Sequence, residues 1–212
     1  MAQTFAAVLD HYLKTIQENG SATPRALKPC AAVDIEGLKK LRDVTPFDDL
    51  AHFFARVDDY DDDVMDDLDL FEPPLAWGMF ALSLQDSISH YEDAAFCGGS
   101  ENPDYWPYGF LPIMQDGCGS YLVVNCISSS PSYGAVYDMC HGVGCNRLAN
   151  SLQEFFAAST QEVLAGLRKY DNDTSAITVD ARDYLQQAAP LFGNSPYFAR
   201  VGRMDSQVVD WK

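Results

Sequence analysis

From Val57 to Asn146 the chain has no lysine or arginine, while those ninety residues hold sixteen aspartates and glutamates. That absence localises the charge: the stretch carries −16, and the rest of the 212 residues, fifteen acids against fourteen bases, carries −1. A net charge of −17 argues against nucleic acid and against an anionic membrane surface as partners. Long apolar runs are also missing. The longest, Pro73 to Leu82, has ten residues, well short of the roughly 18 that a membrane-spanning helix needs. At the start, MAQTFAAVLDHYLK places Asp10 and His11 among apolar residues, where a secretory leader would have a basic patch and then unbroken apolar sequence. The expectation is a cytoplasmic protein. The six cysteines, Cys30, Cys97, Cys118, Cys126, Cys140 and Cys145, are too few for a disulfide scaffold and are expected to be free and mostly buried.

What is present is core material. The chain is 47% hydrophobic and 12% aromatic, which fits one globular domain over residues 1–212. Apolar residues at Phe5, Leu9, Tyr12, Leu13 and Ile16 predict a helix that stops at Asn19 and Gly20. Ile35, Leu38 and Leu41 predict a short helix with Lys39, Lys40 and Arg42 facing water. Thr45, Pro46 and Asp48 read as an N-cap, a first-turn proline and an acid for the unpaired amides. Ser83 with Asp86 and Ser151 with Glu154 repeat that capping pattern. They open helices with apolar stripes at Leu84, Ile88, Tyr91 and at Leu152, Phe155, Phe156, Val163, Leu164, Leu167, the second ending on Arg168 and Lys169.

Strand-like segments lie between these helices: Leu75–Leu82, Phe110–Ile113, Tyr121–Asn125, Ala135–Cys140 and Arg147–Ala149. Turns at Asp116–Gly119 and Pro131–Gly134 make neighbouring strands antiparallel. The expected class is α+β, a mostly antiparallel sheet flanked by N-terminal and C-terminal helices. A weak helix is read at Asp180–Ala189, ended by Pro190. Phe192, Tyr197, Phe198, Val201 and Trp211 imply that the C-terminal segment packs back on the domain.

Catalytic patterns are not found. Cys140, His141 and Cys145 have no common zinc spacing, and adjacent strand residues point to opposite faces. There is no G-x-S-x-G elbow and no phosphate-cradling glycine loop. His11, His52 and His90 fall on predicted helices at ordinary surface positions. Nothing singles out a pair of glycosidase carboxylates. The reading is a binding protein without cofactor, metal site or catalytic residue.

Nine of the sixteen acids lie within fifteen residues: Asp58, Asp59, Asp61, Asp62, Asp63, Asp66, Asp67, Asp69 and Glu72. Like charges about 4 Å apart repel by roughly 1 kcal/mol in water, so the cluster opposes folding. Three readings apply. It is a solvated acidic loop, a docking surface for a cationic protein, or a calcium loop. Asp59, Asp61 and Asp63 fit the first, third and fifth places of an EF-hand, but Val64 stands at the turn glycine and Leu70 at the last carboxylate.

Three stretches resemble the SUKH superfamily of bacterial toxin-immunity proteins and fungal cell-wall assembly regulators. They are TPFDDLAHFFARVDDYDDD, WGMFALSLQDSISHYED, and YWPYGFLPIMQDGCGSYLVVN followed by YGAVYDM and LANSLQEFFAAS. The resemblance covers residues 45–168, leaving 1–44 as an N-terminal helical segment and 169–212 as a C-terminal extension. Trp106, Phe110, Leu111, Pro112, Asp116, Gly117, Gly119, Gly134, Val136, Ser151, Leu152 and Phe155 carry it. Asp59 or Tyr60 stands where the family usually has a glycine.

The resemblance implies a cytoplasmic immunity protein that binds and neutralises a toxin, often a nuclease or another nucleic-acid-targeting enzyme; the chain itself is expected to be a monomer or weak homodimer. A nuclease presents a basic groove to phosphates, so the acidic segment Asp58–Glu72 becomes the expected contact surface for a basic protein toxin, with Tyr60 and Phe71 as aromatic anchors. The alternatives are a non-enzymatic scaffold or regulator of cell-wall synthesis, and a metal-dependent hydrolase built on the acidic cluster.

Overall fold

Five strands form one antiparallel sheet, each paired with the next in sequence: β3 (Phe80–Ala81), β4 (Phe110–Gln115), β5 (Ser120–Asn125), β6 (Val136–Cys140) and β7 (Gly144–Ala149). The computed structural model describes residues 3–30, 33–68, 70, 73–95, 106–140, 144–171, 177–179 and 183–200. The α+β class read from the sequence is what the chain adopts. Burial along β4 and β5 is nearly continuous rather than alternating, which marks a sheet covered on both faces. The β4–β5 turn is built locally. Gly117 and Gly119 take positive φ of 72° and 98°, and Asp116 Oδ1 accepts from the amides of Cys118 (2.7 Å) and Ser120 (2.9 Å). Partial removal from water pushes the Asp116 carboxyl up, but hydrogen bonds from Ser120 and Cys118 outweigh it and hold the group below its ordinary value.

Helices α1 (Phe5–Glu18), α3 (Asp48–Val57), α5 (Leu84–Ala95) and α6 (Leu152–Leu164) pack around this sheet. Helix α1 lies along α6 and also meets α3, and α5 rests on β4. Phe156 of α6 is the shared centre, its ring 5.1 Å from Tyr12, 6.1 Å from Phe5 and 6.1 Å from Phe53. Each such ring, fully buried, contributes about 1.5–3 kcal/mol. Both expected serine caps form. Asp86 N–H donates to Ser83 Oγ (3.0 Å) and Glu154 N–H to Ser151 Oγ (3.0 Å).

Four expectations, at Thr45, Leu75–Leu82, Leu164 and His90, need correction. Thr45 does not cap α3: its N–H bonds the Cys126 carbonyl (2.8 Å) and its hydroxyl Ser128, so the helix starts later, with Phe47 at the cap position. The expected short helix forms over Ile35–Lys40 as a 3-10 helix, burying Leu38 while Lys39 and Lys40 stay exposed. Leu75–Leu82 is not one strand. Trp77 and Gly78 take positive φ of 58° and 77°, folding Ala76 back onto Met79 as a two-residue hairpin before the short strand β3. Leu164 is 57% exposed and Glu162 is buried, the reverse of the expected stripe, because Glu162 turns inward to meet Arg168. His90 is no ordinary surface residue: it is half-buried, with Nδ1 3.2 Å from the Tyr121 hydroxyl.

Arg168 opens β8 (Arg168–Tyr170), which pairs with β9 (Ile177–Val179) and is followed by α7 (Tyr184–Ala188) and α8 (Pro196–Arg200). Among the described residues, 183–200 contact the body of the domain. Trp77 receives Phe192 and Tyr197 edge-on, each at 5.3 Å, and α8 lies against β7. Val201 and Trp211 lie outside the described residues. Of the cysteines, Cys126 and Cys145 are buried, Cys30 half-buried and Cys118 exposed, and these four are not in disulfides; Cys97 lies outside the described residues. Burial pushes the Cys126 thiol well up and leaves it unreactive.

Candidate partner-binding surface

The acidic segment is folded. Strand β2 (Asp59–Tyr60) pairs with β1 (Leu27–Lys28), setting Asp59 opposite Lys28 and Tyr60 opposite Leu27. The Asp61 amide then bonds the Ala26 carbonyl (2.8 Å), and Asp61 Oδ1 accepts from Val64 N–H (3.2 Å) as the N-cap of α4 (Asp62–Asp67). Helix α4 rests on α2 (Thr23–Ala26) and contains no buried residue. Asp62 and Asp63 suit the positive end of its dipole, whereas Asp66 and Asp67 sit at the negative end, where carboxylates are disfavoured.

Asp62, Asp63, Asp66 and Asp67 are all exposed. Helical spacing puts 62 above 66 and 63 above 67, so the four carboxylates share one side of α4. Exposed Asp59 precedes them in β2. Among the described residues, none of these five is in an ion pair.

Asp58 and Tyr60, also expected as contact residues, have structural work. Asp58 is half-buried, and its Oδ1 accepts from Leu84 N–H (3.2 Å), joining Ser83 at the start of α5. The Tyr60 hydroxyl donates to Pro73 O (3.2 Å) and accepts from Ala81 N–H (3.1 Å), tying the acidic segment to the edge strand of the sheet. Asp69, Phe71 and Glu72 lie outside the described residues. With Asp59 bonding the Tyr60 amide, Asp61 capping a helix and Asp63 inside it, the EF-hand positions form no loop. Among the described residues no group of three or more His, Cys, Asp or Glu is arranged to hold a metal ion.

One feature of the neighbourhood escaped the sequence reading. Leu84 and Ile88, assigned to a buried stripe, are only half covered. They line a groove of about 530 Å³ that also reaches Val33, Asp34, Lys40, Asp58 and Glu92. The one available signal was the break in α5's pattern: Gln85, Ser89 and Glu92 flank the apolar positions closely.

A model of the SMI1 / KNR4 family (SUKH-1) matches residues 29–158. The chain belongs to this family, a family of immunity-type proteins. The matched region holds the acidic segment, the groove, the whole sheet and the first half of α6; α1 and the segment after residue 158 lie outside it. No curated protein matches the chain as a relative. Among the described residues no helix is long and apolar enough to cross a membrane.

Proposed function

We propose that this SUKH-1 chain is a cytoplasmic immunity protein that binds a cognate, basic, nuclease-like toxin stoichiometrically and neutralises it by covering its cationic groove. The observation that carries this reading is the exposed aspartate side of α4, set in ninety residues with no lysine or arginine. Four clustered carboxylates cost folding stability, and a cationic partner offsets that cost on binding. Family membership supports the immunity role, and the charge supports a basic partner. Steering by such a surface accelerates association by about 10 to 1000-fold at low salt.

The test is titration of the purified chain with the toxin encoded by the adjacent gene. Equimolar complex formation is expected, with loss of the toxin's activity at the same ratio and association that slows steeply as salt rises. No complex, or an association rate indifferent to salt, overturns the reading.

A further inference from the structure

Helix α5 buries only part of its apolar stripe. Tyr91 is sealed, its hydroxyl donating to Arg42 O (2.6 Å) and accepting from Gly109 N–H (2.9 Å), yet Leu84 and Ile88 remain half covered. Together with Val33 they give the groove between α5 and the 3-10 helix a hydrocarbon floor. Three carboxylates also line it: exposed Asp34 from the loop side, exposed Glu92 from α5, and half-buried Asp58, held in place by its bond to Leu84 N–H. Among the described residues, Lys40 is the one cation lining it.

Apolar contact below and negative charge around it match a side chain that is both apolar and cationic. Lysine and arginine are built that way, with a methylene stem under a charged head. We infer that this groove seats a basic, aliphatic segment of the partner protein, its methylene and leucine-like groups on Val33, Leu84 and Ile88 and its cations beside Asp34, Asp58 and Glu92. This rests on the partner being a basic protein and divides the work within that contact. The exposed carboxylates of α4 set the rate of encounter; the groove, where apolar surface is covered, sets the lifetime of the complex. A second copy of this chain is a poor occupant, since it brings another net charge of −17.

The probe is a short synthetic peptide alternating lysine and leucine, with a control of equal charge in which glycine replaces leucine, each titrated into the full-length isotope-labelled chain. Amide shifts at Gly37, Gln85, Ile88 and Glu92 are expected, with the leucine peptide binding about fivefold or more tighter than the control. Asp34 Oδ1 accepts from Glu36 N–H (3.0 Å) as the cap of the 3-10 helix, a bond that asparagine keeps, and Glu92 is exposed, so the double variant Asp34→Asn, Glu92→Gln is expected to melt as the parent does while losing about fivefold in peptide affinity. Shifts confined to α4 with equal affinity for both peptides overturn the groove proposal while leaving the acidic-surface reading standing. Shifts at the groove that grow with protein concentration, without peptide, overturn it in favour of self-association. Absence of binding by either peptide overturns it as well, and the toxin titration then decides separately whether a basic partner exists.

Discussion

Glu162 and Arg168 form an ion pair sealed inside the protein, Nε to Oε2 at 2.9 Å, with side chains 0% and 7% exposed. The same carboxylate accepts from Trp77 Nε1 (3.0 Å) and from the Tyr184 hydroxyl (2.5 Å), and the guanidinium lies 4.5 Å over the Trp77 ring. Helix α6, strand β8, the Trp77 hairpin and α7 therefore meet at one carboxylate. Losing one partner of such a pair leaves a buried, uncompensated charge, at about 3–5 kcal/mol, whereas replacing both by apolar groups is often close to neutral. Arg168→Ala is expected to destabilise the chain by about 3 kcal/mol or more in urea unfolding, and the double variant Glu162→Leu, Arg168→Met by clearly less. Equal losses in the two would show that packing, not the charge pair, holds the C-terminal segment.

That pair also marks the limit of what the sequence made legible. The sheet could be read because its signals are local: glycines at the Asp116–Gly119 turn and short apolar runs between turns. The caps at Ser83 and Ser151 were legible for the same reason, since a cap and its partner lie three residues apart. Trp77 at φ 58° was not, because its conformation is held by Phe155, Phe192 and Glu162, some eighty to one hundred and fifteen positions away. The inward turn of Glu162 depends likewise on an arginine that, read locally, only completes a helix end. For the candidate surface, charge density was plain in the sequence. The division between carboxylates that cap helices, Asp58 and Asp61, and those left exposed required the fold.

Gly109 provides a steric test of how the N-terminal loop is fastened to the sheet. It has φ +78°, and a Cβ there would stand 2.4 Å from Ile127 Cγ1 and 2.7 Å from the backbone oxygen of Asp43. Gly78 has nearly the same φ, +77°, but open space around it. Gly78→Ala should cost only the left-handed strain, about 1–2 kcal/mol. Gly109→Ala should cost more, because a backbone oxygen cannot move aside without breaking the Tyr91 hydroxyl bonds to Arg42 O and Gly109 N–H. Thermal melts of the two variants check this; equal midpoints would mean that the loop gives way freely.

Asp138 on β6 makes stability depend on pH. Removal from water, and then the charge of Asp116, raise its carboxyl from 3.8 to about 6. The folded value lies above the unfolded one, so ionisation opposes folding. The penalty is absent below the unfolded value, grows between pH 4 and 6, and is complete above about 6, at up to about 3 kcal/mol. Asn146, its register partner on β7, has Oδ1 buried without a hydrogen bond, an acceptor that a neutral donor at 138 can serve. Asp138→Asn is therefore expected to stabilise the chain at pH 7 to 8 and to change little below pH 4. A variant whose advantage is the same at every pH would show that the carboxylate's charge is not the cause.

Helix α4 separates stability from recognition. Asp62, Asp63, Asp66 and Asp67 repel one another along the helix, and the last two oppose its dipole, while none is in an ion pair among the described residues. Changing all four to Asn removes that repulsion and leaves the Asp61 cap in place, so the melting midpoint is expected to hold or rise. Association with the basic partner should slow severalfold at low salt, and the difference should vanish at high salt, where screening shortens the reach of charge to a few ångströms. Asp58→Ala should behave in the opposite way: it removes the bond to Leu84 N–H, at about 1 kcal/mol of stability, and takes only one charge from the surface. Stopped-flow association and melting curves on both variants distinguish the roles. An unchanged association rate in the fourfold variant would place recognition elsewhere on the molecule.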